Sequence, residues 1–242
     1  PPSLERPTGR RPRPGTEPDR PAAVYPCPVL ALVTCREAAA VDTDLPLLRR
    51  ELPDAAVVAW DDAEVDWSGF DVVVLRSPWD YHRRRSEFLA WAAAVSDVTR
   101  FWNPLDVIEW NTDKRYLHEL ERRGVPVVPT TFLADAVDID RFEGADRFRG
   151  DLVVKPSVGA SASGVVLTRA EPPAASEHAR SLLHAGRTPM VQPYLADVES
   201  SGETALVYLG GRFSHGVRRR VVLPPGGVDA GVLGDERSEA RR

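Results

Sequence analysis

The chain has 242 residues, enough for one large or two small domains with cores of their own. A formal net charge of -5 and a pI near 5.6 give no electrostatic footing for a polyanion-binding surface, which excludes nucleic acid as the expected partner. Cys27 and Cys35 have no Cys or His partner at metal spacing, so neither a disulfide framework nor a zinc site is indicated, and a reducing cytoplasm fits.

Residues 1–28 hold nine prolines and almost no apolar periodicity, and read as a disordered leader. Arg10 and Arg11 precede an apolar run, but Val29–Val33 is too short for a signal-peptide core and suits a buried first strand instead. Strand and helix then alternate in the manner of a parallel sheet with crossover helices. Val29–Thr34 predicts a strand, Asp44–Leu52 a helix, Ala55–Trp60 and Val72–Leu75 short strands, and Glu87–Val95 a helix with Phe88 and Trp91 inward. Asn103 and Pro104 mark a turn. Asn111 or Thr112 is expected to cap a helix from Asp113 to Arg123, ended by Gly124 and Pro126, with Lys114 in its first turn.

The second half changes character. Asp151–Lys155 predicts a strand, 156–164 a small-residue loop, Val165–Thr168 a strand and Ser176–Gly186 a helix. Met190–Pro193 predicts another strand, and Ala205–Leu209 with Arg212–Val217 flank Gly210-Gly211 as a hairpin. No repeat and no membrane span is present.

All but two of the 31 Lys and Arg residues are arginine. Against that background Lys114 and Lys155 stand out, because a compact ammonium and a guanidinium fork are not interchangeable at a phosphate. Lys155 ends an apolar strand and opens a loop rich in Gly and Ser, from Pro156 to Gly164. Its glycines allow close backbone approach, and its serines and N–H groups can donate to phosphate oxygens. It is not a Walker loop, since no G-K-[ST] ends it and no helix follows. Loop composition alone favours a solvated hairpin connection, and the apolar strand leading into Lys155 is what brings a phosphate flap into competition with it.

Several further stretches carry a family resemblance: Leu75–Tyr81, Trp102–Pro104, Asn111–Lys114, the Lys155 loop, Met190–Leu195, and Gly202-Glu203 leading to Phe213–His215. In this order they resemble the ATP-grasp superfamily over about Val29 to Arg220. The likeness is strongest to the actinobacterial branch containing the O-ureido-serine cyclo-ligase of cycloserine biosynthesis. The resemblance implies an α/β fold, α+β in its second half: a Rossmann-like pre-ATP-grasp domain over 29–104 and an incomplete ATP-grasp fold over 105–220. The segment 221–242 departs from the pattern and is expected to be a disordered tail.

The resemblance also implies ATP and Mg²⁺ as cofactors and a small carboxylate or amine substrate, with no membrane partner and homo-oligomerisation left open. Lys114 and Lys155 would bracket the nucleotide phosphates, with Ser157, Gly159, Ser161 and Ser163 in the covering loop. Gln192, Tyr194 and Leu195 would form the hinge that reads adenine. Glu203, or Glu199 in its place, would accept from the ribose hydroxyls. Arg218 would touch the transferring phosphate or the substrate carboxylate, with a solvated Arg218–Arg220 run as the equal alternative. Arg76, Trp79 and Asp80 follow a strand at its carboxyl end, where open α/β sheets place ligands, and with His215 form the expected substrate side. Core packing is the competing reading for Trp79 and Tyr81. The other four histidines read as solvated.

Such enzymes phosphorylate a carboxylate with ATP and let an amine attack the acyl phosphate, so alignment and charge neutralisation carry the catalysis. The family's acidic strand that binds magnesium is not found in this sequence, which leaves the metal ligands unassigned. An ATP-dependent carboxylate–amine or cyclo-ligase is therefore weighed against a truncated, inactive nucleotide-binding remnant. A dinucleotide-binding Rossmann enzyme is disfavoured, because no glycine fingerprint follows the first strand at Cys35.

Overall fold

A computed structural model of the chain describes residues 28–143, 150–160, 162–168, 172–219 and 238–241. Most of the leader, Cys27, Ser161 and most of 221–242 lie outside the described residues, and so do the expectations placed on them.

The first half comprises β1 (Leu30–Thr34), α1 (Leu45–Glu51), β2 (Ala56–Ala59), β3 (Val72–Ser77), α2 (Arg85–Ser96) and β4 (Arg100–Phe101). Its four strands are parallel in the order β2-β1-β3-β4. Ala31, Leu32 and Val33 are all buried, because β1 is central and covered on both faces, so its sequence runs apolar without alternation. Helix α2 places Phe88, Ala92 and Val95 on one stripe, at the spacing of successive turns, and buries it. That stripe meets an aromatic cluster, with Trp60 edge-on to Phe88 at 5.4 Å and Trp91 edge-on to Phe101 at 5.6 Å.

The helix expected over Asp113–Arg123 begins three residues later, as α4 (Tyr116–Arg122), and is preceded by a helix that was not expected, α3 (Leu105–Asn111). Lys114 therefore lies in the turn between them. Local side-chain competition explains the break: the Asp113 carboxylate accepts from the Arg115 N–H at 3.1 Å, and the Thr112 hydroxyl donates to the Glu109 carbonyl at 3.1 Å. The expected stop at Gly124 holds, with φ +80 and the Val125 N–H returning to the Leu120 carbonyl.

Next come β5 (Thr131–Phe132), α5 (Ala136–Glu143), β6 (Leu152–Pro156), β7 (Val166–Thr168), α6 (Pro172–His184) and β8 (Pro189–Pro193), the strands forming an antiparallel sheet in the order β5-β8-β6-β7. Ile139 and Phe142 of α5 and Ala175, Ala179 and Leu182 of α6 close a second core over Leu152, Val154 and Val191. Finally α7 (Asp197–Ser201) precedes a ribbon of β9 (Glu203–Leu209), β10 (Arg212–Arg219) and β11 (Ser238–Arg241). Gly210 and Gly211 have φ +57 and +76, as the primed hairpin turn requires. Within the segment expected as a disordered tail, Ser238–Arg241 pairs antiparallel with Gly216–Arg219, using the backbone groups that the edge of β10 leaves open. No described helix is long and apolar enough to cross a membrane.

Candidate functional site

A cavity of about 460 Å³ opens between the β6 sheet and the start of β9. Side-chain alternation along β6 sends Leu152 and Val154 into the core and Val153 and Lys155 onto the cavity wall. Gly159, Ala160, Ala162 and Ser163 come from the loop after β6, Gln192–Leu195 from the end of β8, and Glu203 from β9. Lys114 enters from the α3–α4 turn.

The Lys114 N–H donates to the Ser157 carbonyl at 2.9 Å, which docks the turn on the loop. Its Nζ donates to the Gly159 carbonyl at 2.8 Å and lies 3.5 Å from the Ser157 carbonyl. Burial, then the neighbouring Lys155 charge, pulls the Lys114 ammonium down to about 8. Burial also lowers Lys155, against the opposing pull of Glu203. The Lys155 ammonium makes no hydrogen bond or ion pair with any described residue, while its backbone pairs with Met190 in the sheet. Two partly dehydrated ammonium groups facing one cavity, one of them unpaired, are electrostatically incomplete until an anion enters.

The hinge is more committed than the sequence suggests. The Tyr194 N–H donates to the Asp151 carbonyl at 2.8 Å, and the Leu195 carbonyl accepts from Val198 at 3.0 Å. The Leu195 N–H meets no backbone carbonyl among the described residues and is the hinge donor left for a ligand. Gln192 turns its amide to the Thr130 hydroxyl at 2.8 Å. Glu199 accepts from the Tyr194 hydroxyl at 2.6 Å, whereas Glu203 lines the cavity, so of the two carboxylates Glu203 is the one on its wall.

Seven expected site residues are not on that wall. Ser157 is buried and anchors the loop through its N–H to the Thr188 carbonyl at 2.8 Å. Arg76 is spent on Asp42 at 2.8 Å and Asp44 at 2.7 Å. Trp79 packs on the first core, and Asp80 is buried, accepting from Trp60 Nε1 at 2.8 Å and from Arg84. His215 pairs with Val207 and contacts Ser214 at 3.0 Å. Arg218 pairs with Thr204 while Arg219 pairs with Glu203, so strand alternation turns Arg218 to the face away from Glu203. Glu199, bound by Tyr194, completes the group.

The cavity also uses Val128, Val153, Val165 and Val198, apolar walls from four separate segments that only the tertiary fold brings together. Three histidines read as solvated donate to carbonyls: Nε2 of His178 to Gly164 at 2.9 Å, Nδ1 of His82 to Trp79 at 2.9 Å, and Nδ1 of His184 to Arg180 at 2.8 Å. Burial and the adjacent arginines lower the His82 pKa, burial being the larger cause.

A parallel domain followed by an antiparallel sheet, with lysines from the sheet and from a preceding turn facing one cavity, defines an ATP-grasp protein. The sequence profile of the family described as "D-cycloserine synthetase DcsG, N-terminal domain" matches residues 30–103, and the cycloserine biosynthesis protein DcsG of Streptomyces lavendulae is 39% identical over 211 residues, 83% of this chain and 70% of that protein. The chain belongs to the DcsG family of ATP-grasp proteins. The crystal structure of D-cycloserine synthetase DcsG is similar with a TM-score of 0.79 at 36% identity, covering 88% of this chain and 75% of that one. D-alanyl-alanine synthetase A from Vibrio cholerae, at 14% identity and a TM-score of 0.56, covers 82% of this chain and 69% of its own and shares the fold.

Proposed function

We propose that the protein binds ATP in this cavity and is an ATP-dependent ligase for a small amino-acid-like substrate. The observation that carries the reading is the Lys114–Lys155 pair, two partly dehydrated ammonium groups on one cavity of which the Lys155 group bonds to no described residue, an arrangement that suits a polyanion. The valine walls and the Leu195 N–H suit an adenine ring, and Glu203 suits its ribose hydroxyls. A carboxylate oxygen of the substrate would attack the γ-phosphorus as ADP leaves; an amine or related nucleophile would then attack the acyl carbon, losing a proton as phosphate departs. The lysines would hold the phosphates in line and offset the charge that moves to ADP.

Magnesium, implied by the resemblance, finds one carboxylate on the cavity wall, Glu203, and no group of three metal-ligating side chains converges among the described residues. No step is therefore routed through the metal.

The names of the relatives, cycloserine biosynthesis protein and D-cycloserine synthetase, put ring closure among the candidate reactions, with an O-ureido-serine as the first substrate to try. Incubation with ATP, magnesium and a panel of such amino acids should release phosphate only when the right carboxylate is present. Binding of an ATP analogue without phosphate release from any of the panel would favour a nucleotide-binding protein that does not turn over.

A further inference from the structure

Three consecutive carbonyls of the loop after β6 are held by donors from outside the loop: Ser157 by the backbone N–H of Lys114 at 2.9 Å, Val158 by Nη2 of Arg187 at 3.4 Å, and Gly159 by Nζ of Lys114 at 2.8 Å. A trans peptide points its C=O and the following N–H in opposite directions. Fixing these carbonyls therefore turns the N–H groups of Val158, Gly159 and Ala160 the other way. None of the three meets a backbone carbonyl among the described residues. Gly159 and Ala160 line the cavity, where backbone N–H groups can donate to an anion that enters it.

At the far end of the loop the same device recurs. His178 of α6 donates to the Gly164 carbonyl at 2.9 Å, and Arg187 Nη1 lies 3.0 Å from where a Cβ on Gly164 would stand. Gly164 has φ +72, so a side chain there would meet both backbone strain and the guanidinium. Arg187 thus lies against both ends of the loop, from the segment between α6 and β8, and it is not on the cavity wall.

We infer that Arg187, assisted by His178, is a positioning residue that holds the loop carbonyls so that the loop N–H groups stay available to the nucleotide phosphates. This rests on the ATP reading above. The Arg187 charge also bears on Lys114 and helps to depress its pKa, which links the loop support to the phosphate-facing lysine.

The test uses Arg187→Met, Arg187→Lys and His178→Gln in the full chain. Without nucleotide, hydrogen exchange at the loop amides Ser157, Ser163 and Val165 should accelerate on the order of tenfold in Arg187→Met, with β6 and β8 protection intact, because a charge-assisted bond is lost. Unchanged loop exchange overturns the inference. In calorimetry, Arg187→Met should weaken a non-hydrolysable ATP analogue on the order of tenfold while leaving adenosine affinity unchanged. Arg187→Lys should restore part of the loss, and His178→Gln, which keeps a donor, should stay near wild type. Equal weakening of adenosine and the ATP analogue, or of neither, also overturns it. Failure of the wild-type chain to bind the ATP analogue at all would count against the ATP reading alone, since the exchange measurement needs no nucleotide.

Discussion

The depressed pKa of Lys114 makes nucleotide affinity depend on pH in a direction that can be worked out. Free Lys114 titrates near 8, so about nine-tenths of it is charged at pH 7 and about one-tenth at pH 9. Phosphate binding favours the ammonium, so the bound lysine titrates higher than the free one. Affinity should therefore be level at pH 7 and below, then fall as pH rises through 8, losing about tenfold, or roughly 1.3 kcal/mol, by pH 9. Lys155, lowered by the same burial, adds to the loss in the same direction. Calorimetry of an ATP analogue in two buffers of different ionisation enthalpy should show uptake of about half a proton at pH 8 from Lys114. In Lys114→Arg the charge no longer titrates in this range, so binding should be weaker at pH 7 yet depend less on pH. Affinity that stays constant from pH 7 to 9, with no proton uptake, would refute both the position of Lys114 against the phosphates and the burial argument for its pKa.

Two further substitutions separate site from scaffold. Lys155→Met should weaken an ATP analogue by about a hundredfold or more in titration calorimetry, while thermal stability stays level or rises, because the removed charge is partly dehydrated and bonds to no described residue; retained affinity would disprove the site. Asp80→Ala should cost about 2 kcal/mol in denaturant unfolding, since it leaves the buried Trp60 Nε1–H without its acceptor, while Arg84 keeps Asp61 at 2.9 Å, and it should leave analogue affinity intact. A large affinity loss at unchanged stability would return Asp80 to the substrate side.

Much of the site was legible along the chain because its signals are local. Lys155 is readable because a β-strand runs straight into a glycine-rich loop, and Glu203 because it opens a strand just beyond the hinge. The residues that the structure places off the cavity wall share one feature. Arg76, Asp80 and Arg218 carry charges suited to substrate work, but a charge does not announce its partner. Arg76 meets Asp42 and Asp44, 34 and 32 positions away in the chain, and Arg218 is turned outward by its pairing register. The helix expected at Lys114 broke because Thr112 and Asp113 bond their own backbone, a competition that hydrophobic periodicity does not register.

By itself the sequence determined most of the strands and helices, the primed hairpin at Gly210-Gly211, the two lysines as the candidates for a shared site and the family, because propensity, turn chemistry and motif order act over a few residues. Only the tertiary structure decided that the Lys155 ammonium bonds to no described residue, that Glu203 rather than Glu199 lines the cavity, and that Arg187 and His178 stand behind the loop. Each of these depends on sheet register and helix packing between residues distant in the chain, where burial and the choice of hydrogen-bond partner are set.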